Sequence, residues 1–253
     1  MTKTSGTKEW AESNVNCYYG CSNNCTYCYA KRMALRFERI HTDEEWEVMK
    51  PNQKNIDKKY KKRKGKIMFP TSHDITPESV DGCIIVLKKL LKSGNNIIIV
   101  TKANYECIDK VYAEVLSKKD CTPNRYINQV EFRITVGSIS NDILKKYEPN
   151  APPFFYSRLT TMSLLSSLSF KTSVSIEPFL DKNPIELIKF IFKYGHITGN
   201  IWLGSMRGKV PNELKPNYTT ENLLKIVEEI NELPEKDRTR IRYKDSIRNK
   251  LNL

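Results

Sequence analysis

The chain has 253 residues, enough to bury a sizeable core, with 42 Lys and Arg against 29 Asp and Glu and a formal charge of +13. Its longest apolar runs, such as Ile97 to Val100, are far too short to cross a bilayer. The polar stretch Met1 to Trp10 lacks the apolar core of a secretory signal, so no membrane partner is expected and the cytoplasm is the expected location. The positive charge reads equally well as a nucleic-acid-binding surface or as a Lys- and Asn-rich composition with no anionic partner.

Of seven cysteines, Cys17, Cys21, Cys25 and Cys28 fall close together near the N-terminus. Such a cluster in a cytosolic chain points to a metal or redox site rather than to disulfides. Ala30, Met33, Ala34 and Phe37 then recur at helical spacing, so a helix is expected directly after Cys28. Residues 40–65 are polar, end in the run Lys58-Lys59-Tyr60-Lys61-Lys62-Arg63-Lys64, and read as a mobile basic surface insertion. Lys66 to Pro70 reads as a short strand. Thr76 as cap and Pro77 as first residue open a helix with the stripe Val80, Ile84, Leu87 and Leu91, stopped by Gly94. Asn96 to Thr101 is continuously apolar, the pattern of a strand buried on both faces of a parallel sheet.

A helix from Tyr105 to Leu116 and a strand from Val130 to Val136 follow. Beyond the break at Pro149, Pro152 and Pro153 come a helix near Arg158 to Leu168, a strand from Lys171 to Ile176, and a helix from Ile185 to Tyr194. A sixth strand is expected at Ile201 to Gly204. The last helix carries Leu223, Val227 and Ile230, and a basic tail runs from Lys236 to Lys250. Six strand–helix units predict an α/β fold with a parallel sheet. A full eight-unit barrel needs more chain, so a partial, open (β/α)6 barrel of the TIM type is expected. The working face then lies at the C-terminal ends of the strands. The expected organisation is one domain over 1–253. Its core spans about 14–206, the basic insertion about 40–65, and a helical basic C-terminal extension about 207–253.

The segment Cys21-Ser22-Asn23-Asn24-Cys25-Thr26-Tyr27-Cys28 has the spacing C-x3-C-x2-C. Three thiolates so close together can ligate three irons of a four-iron cubane and leave the fourth open to a small molecule. The other reading is structural zinc on Cys17, Cys21, Cys25 and Cys28. Four-cysteine zinc sites usually pair two knuckles from separate segments, and no second knuckle follows. Cys17 reads as a buried strand residue, an alternate ligand or a redox thiol.

The cysteine spacing, placed between a first strand and a first helix, resembles the radical S-adenosylmethionine (radical SAM) superfamily motif, and Tyr27 matches the aromatic that usually precedes the last cysteine. The resemblance implies a [4Fe-4S] cluster on Cys21, Cys25 and Cys28, with SAM chelating the open iron and its reductive cleavage giving a 5′-deoxyadenosyl radical. It also implies a reducing partner such as flavodoxin or ferredoxin. Phe69-Pro70-Thr71-Ser72-His73-Asp74, Val100-Thr101-Lys102, Ile134-Thr135-Val136-Gly137-Ser138 and Ser175-Ile176-Glu177-Pro178 further resemble the spore photoproduct lyase-like branch, over about residues 14 to 206. That resemblance implies that Lys102 pairs with the SAM carboxylate. Ser72, Asp74, Ser138 and Glu177 would bond its amino group or ribose hydroxyls. His73 is expected to hold the loop, donate to SAM or act on substrate. One feature departs from the branch: the second strand end carries Pro70 and Thr71 and no hydrogen-donating cysteine, which puts photoproduct repair in doubt. Cys83, Cys107 and Cys121 are expected on helices or a connecting loop.

For the substrate, a nucleic acid or nucleotide is favoured by the charge, by the Lys58–Lys66 run, and by Arg238, Arg240, Arg242 and Arg248, with Tyr60 or Tyr243 available for stacking. A peptide or small metabolite is the alternative. The non-enzymatic alternative is a zinc-bearing nucleic-acid-binding protein.

Overall fold

The computed structural model describes residues 6–117 and 124–253; Cys121 lies outside the described residues. Seven strands form one sheet, every neighbouring pair parallel and in chain order. They are β1 (Ser13–Asn14), β2 (Lys66–Phe69), β3 (Asn96–Thr101), β4 (Val130–Thr135), β5 (Lys171–Ile176), β6 (Ile201–Leu203) and β7 (Ile241–Tyr243). The principal helices are α1 (Tyr29–Arg36), α2 (Val80–Lys92), α3 (Tyr105–Val111, prolonged by a wider turn to Leu116), α4 (Asn141–Tyr147), α5 (Thr160–Ser167), α6 (Ile185–Tyr194), α7 (Thr220–Asn231) and α8 (Asp245–Leu251).

The strand sequences explain both faces of the sheet. Ile97 and Ile99 of β3, Phe132 and Ile134 of β4, and Val174 and Ile176 of β5 point to the helices and join the main apolar core. The alternate residues point the other way, as the two-residue side-chain period demands. There Met68 and Ile98 pack with Ala11, while Glu131, Arg133 and Ser173 form a buried polar network. Arg133 Nη2 bonds Glu131 at 2.8 Å, and Ser173 Oγ donates to Glu131 at 2.9 Å. The Arg133 guanidinium lies 4.5 Å from the ring centre of Trp10 and 5.1 Å from that of Trp202, a stacking that suits its planar, weakly hydrated charge.

The second face is closed by the residues that precede β1. Glu9 pairs with Lys244, immediately after β7, and accepts from Arg248 at 2.5 Å. In a flat seven-stranded sheet the edges would stand roughly 29 Å apart at the usual spacing of about 4.8 Å. The four residues from Glu9 to Ser13 reach at most about 14 Å. With the side chains of Glu9 and Lys244 added, this segment crosses the second face of the sheet from before β1 to after β7.

Several boundaries differ from the sequence reading. Helix α2 starts after Ser79 rather than at Pro77, because Thr76 to Ser79 close a separate turn in which Ser79 Oγ is held by the backbone of Thr76 and Asp74. Residues 40–65 are anchored to the body of the fold rather than lying wholly on its surface. Trp46, Ile56 and Tyr60 are buried, and Lys50–Pro51 pairs antiparallel with Tyr18–Tyr19, so the segment buttresses the cysteine loop. The C-terminal extension is not simply helical, since it contributes β7 to the sheet. Among the described residues no helix is long and apolar enough to cross a membrane.

Candidate active site

The adjacent strands end in register (Phe69 beside Ile99, Thr101 beside Ile134, Thr135 beside Ser175, Ile176 beside Leu203), so their following loops converge. They wall a cavity of about 280 Å³ with the cysteine loop. Cys21, Cys25 and Cys28 line it, together with Tyr27, Ser72, His73, Asp74, Lys102 and Glu177.

Local rules shape the cysteine loop. Gly20 has φ +81, and a Cβ there would sit 2.6 Å from the Trp46 carbonyl oxygen and 2.7 Å from that of Val48. Only glycine allows this close approach, which lets Cys21 N–H donate to Trp46 O at 2.8 Å. Asn24, at φ 43, takes the left-handed turn that asparagine tolerates better than most residues. Its side-chain oxygen accepts from Lys31 Nζ at 2.8 Å. Cys28 caps α1, its sulfur accepting from Lys31 N–H at 3.4 Å. Burial pushes the Cys25 thiol up to about 12 and raises that of Cys21 further, as expected of sulfur shielded from water.

Asp74 is the junction of the site. Its carboxylate accepts from Asn23 Nδ2 at 2.8 Å, from Thr101 Oγ1 at 2.6 Å, and from the N–H groups of Ile75 and Lys102 at 2.7 and 2.9 Å. It ties the cysteine loop to the end of β3, and its acceptor capacity is taken up by the protein itself. Asn16 does the same for the ends of β1 and β2, accepting from Thr71 N–H at 2.7 Å and Ser72 N–H at 3.0 Å.

Lys102 Nζ makes no hydrogen bond among the described residues. It stands 3.8 Å from Glu148 and 5.6 Å from the Tyr27 ring centre. Burial opposes its charge, but Cys25 and Glu148 outweigh that and hold its titration well above the ordinary range. Glu148 and Arg158 are wholly buried behind it and paired with each other, and the Tyr27 hydroxyl also donates to Glu148. Glu177 lies between Lys244 at 3.7 Å and Arg207 at 3.8 Å, with no hydrogen bond to its carboxylate oxygens among the described residues. Burial raises its titration despite these cations. The cavity thus presents a cation on one wall and an acceptor on another, each with bonding capacity to spare.

Two sequence-predicted residues lie elsewhere. Ser138 is fully buried, does not line the cavity, and donates to Asp181 at 2.6 Å. Cys17 sits behind His73, its backbone N–H donating to His73 Nε2 at 3.1 Å. The Cys83 thiol, 3.7 Å away, is its strongest partner and with His73 brings Cys17 down to about 6 against burial, while burial raises Cys83. Sequence reading missed Asn16, Asn23, Glu148 and Arg158. Asn16 and Asn23 flank the cysteines and were open to suspicion on that ground; Glu148 and Arg158 are brought in by folding across the Pro-rich break.

As placed, the three motif sulfurs are spread wider than one tetrahedral ion would hold them. One tetrahedral zinc, at about 2.3 Å from each sulfur, draws its thiolates to about 3.8 Å from one another. The sulfurs of Cys21, Cys25 and Cys28 are not all within 4.8 Å of one another; among the described residues the cysteine and histidine group that meets that limit is Cys17, His73 and Cys83.

No protein-family model and no curated protein matches the sequence. Among solved structures, that of SuiB from Streptococcus suis bound to S-adenosylmethionine is similar, with a TM-score of 0.54 and 12% identity. The match covers 89% of this chain and 45% of SuiB, so the chain spans less than half the length of that protein. At this identity the likeness is one of fold: the chain shares the mixed α/β architecture, with its parallel sheet, of a protein that binds SAM.

Proposed function

We propose that this chain is a radical SAM enzyme of the spore photoproduct lyase-like branch, built on a partial (β/α)6 barrel. The observation that carries the reading is the meeting of the three C-x3-C-x2-C thiols with Lys102 and Glu177 in one cavity at the C-terminal ends of the strands. A SAM-bound fold neighbour supports it. Cys21, Cys25 and Cys28 would hold a [4Fe-4S] cluster, and when bound the cluster would supply the electron that cleaves SAM to a 5′-deoxyadenosyl radical.

The chain's own residues bind and orient. Lys102, charged and without a hydrogen bond of its own, receives the SAM carboxylate. Glu177 and Ser72 accept from or donate to the amino group or ribose hydroxyls. Asp74 acts indirectly, fixing Asn23 of the cysteine loop against the Lys102 backbone, and His73 holds the wall of the cavity. Met68, Val100 and Met206 line it with apolar surface, which excludes water from a reactive intermediate.

We assign the substrate to nucleic acids or nucleotides. A second cavity of about 1110 Å³ shares Tyr29, Ala30, Thr71 and Ser72 with the first, and Arg39, Lys50, Lys58 and Arg63 line it. Tyr19, Tyr29 and Phe37 are exposed along it. Cations for phosphates beside open aromatic faces for bases form the combination that binds single strands. The reductant is a flavodoxin or ferredoxin, and the setting a reducing cytoplasm.

The test is anaerobic reconstitution with iron and sulfide, then reduction with dithionite in the presence of SAM. About four irons per chain, as a cubane requires, with 5′-deoxyadenosine formed by wild type and not by Cys25→Ala, is expected. Absence of SAM cleavage from an iron-replete protein would overturn the reading.

A further inference from the structure

We infer that Cys17, His73 and Cys83 form a second metal site, one that takes a single thiophilic divalent ion of the zinc class. The three residues come from separate elements: the segment after β1, the loop after β2, and helix α2. Their ligand atoms converge in the interior. Cys17 Sγ is 3.7 Å from Cys83 Sγ and 3.8 Å from His73 Nε2, and all three atoms lie within 4.8 Å of one another. Zinc at about 2.3 Å from sulfur and about 2.0 Å from imidazole nitrogen sets tetrahedral edges of about 3.8 Å between sulfurs and about 3.5 Å between sulfur and nitrogen. The two edges that meet at Cys17 already have nearly that size.

The histidine is presented as a ligand. Its Nδ1 is 2.9 Å from the Asp74 carbonyl oxygen. A carbonyl can only accept, so Nδ1 carries the proton and Nε2 carries the lone pair, which accepts from the Cys17 backbone N–H at 3.1 Å; an ion bound at Nε2 would displace that hydrogen bond. A backbone carbonyl on the remote nitrogen is the usual outer partner of a metal-bound imidazole. The edges of Tyr18 and Phe69, with ring centres 5.8 and 6.4 Å from that of His73, fix its plane. Both thiols are fully buried and free. A divalent ion with two thiolates and a neutral imidazole is electrically neutral overall, so burial carries little of the penalty of an isolated charge. Loading breaks two S–H bonds, forms two metal–sulfur bonds and one metal–nitrogen bond, and releases two protons to buffer. A fourth position is left to a small ligand. His73 also lines the cavity of the proposed SAM site, so the ion would clamp β1, α2 and one wall of that cavity together.

The inference does not depend on the radical SAM reading, and its test removes the motif thiols. The full chain carrying Cys21→Ala, Cys25→Ala and Cys28→Ala is titrated with cobalt(II), followed by zinc competition. One cobalt per chain is expected, with thiolate charge-transfer and tetrahedral ligand-field bands, two protons released per ion, and displacement by one zinc. The bands should vanish on adding Cys83→Ala or His73→Ala and persist with Cys107→Ala, a buried cysteine outside the triangle. X-ray absorption of the zinc-loaded triple variant needs no change in the triangle, and should show two sulfur ligands and a nitrogen. Absence of tetrahedral bands, binding that survives Cys83→Ala, or a Cys17–Cys83 disulfide formed with no ion taken up would overturn the inference.

Discussion

Glu148 is the only carboxylate that the buried cations Arg158 and Lys102 pair with among the described residues, and Glu148→Gln removes its charge while keeping its shape. At the 3.8 Å separation of Lys102 and Glu148, the attraction is about 4 kcal/mol for an effective dielectric of about 20. The Arg158 contact is closer still. Gln retains a carbonyl acceptor, so Arg158 keeps one bond there in addition to those at 2.9 Å to Pro152 O and Thr135 O. Relief from desolvating the carboxylate offsets part of the loss. Stranding charge by removing one partner of a buried pair costs about 3–5 kcal/mol. With a urea slope of about 3 kcal/mol/M, the unfolding midpoint should fall by about 1–1.7 M. Fluorescence of Trp10, Trp46 and Trp202 reports the transition. Replacing Arg158 as well, with Met, should recover much of the loss, because a well-packed apolar group can stand in for a buried ion pair. A midpoint within about 0.3 M of wild type for Glu148→Gln, less than about 1 kcal/mol, would refute the claim that this carboxylate neutralises the floor of the site.

Glu131 gives a pH dependence of definite sign. Burial opposes its charge, but Arg133, Lys66 and Ser173 outweigh burial and bring its titration from 4.5 down to about 2. Its contribution is therefore complete above pH 4.5 and lost as pH falls towards 2, a difference of about 3 kcal/mol. Denaturant titrations at stepped pH should show that slope in wild type and lose it in Glu131→Gln, which should itself be destabilised at neutral pH by the unpaired Arg133. Gly20→Ala should cost about 1–3 kcal/mol for its left-handed backbone alone, and its Cβ would press on two carbonyl oxygens. Iron uptake on reconstitution should fall together with the melting temperature, and a variant that binds iron like wild type would show that the loop tolerates another path.

The strand β3 and the helix α6 were legible because burial leaves a simple record: an unbroken apolar run for a strand covered on both faces, and a 3.6-residue stripe for a helix. The cysteine spacing likewise marked its loop. β7 was missed because Ile241-Arg242-Tyr243 is three residues long in a basic stretch, and only pairing with β6 makes it a strand. The segment 40–65 misled for a related reason. Its burial rests on a few isolated anchors, Trp46, Ile56 and Tyr60, among many charges, and isolated anchors have no periodicity. Within the site, the family resemblance implied a SAM contact for Asp74 and Ser138. The structure shows Asp74 joining two loops and Ser138 bonded to Asp181, partners far away in sequence. Glu148 and Arg158 gave no local signal at all, since their pairing depends on α4 and the turn before α5 packing behind Lys102.

The most direct test of the central claim is electron paramagnetic resonance of the reduced, reconstituted protein before and after addition of SAM. Three cysteine ligands leave one iron of a four-iron cluster open, so the account predicts a cubane signal whose shape and g-values change when SAM is added, in wild type and not in Cys25→Ala. A cluster signal indifferent to SAM, or a colourless protein with stoichiometric zinc on the motif cysteines and no signal, would contradict it.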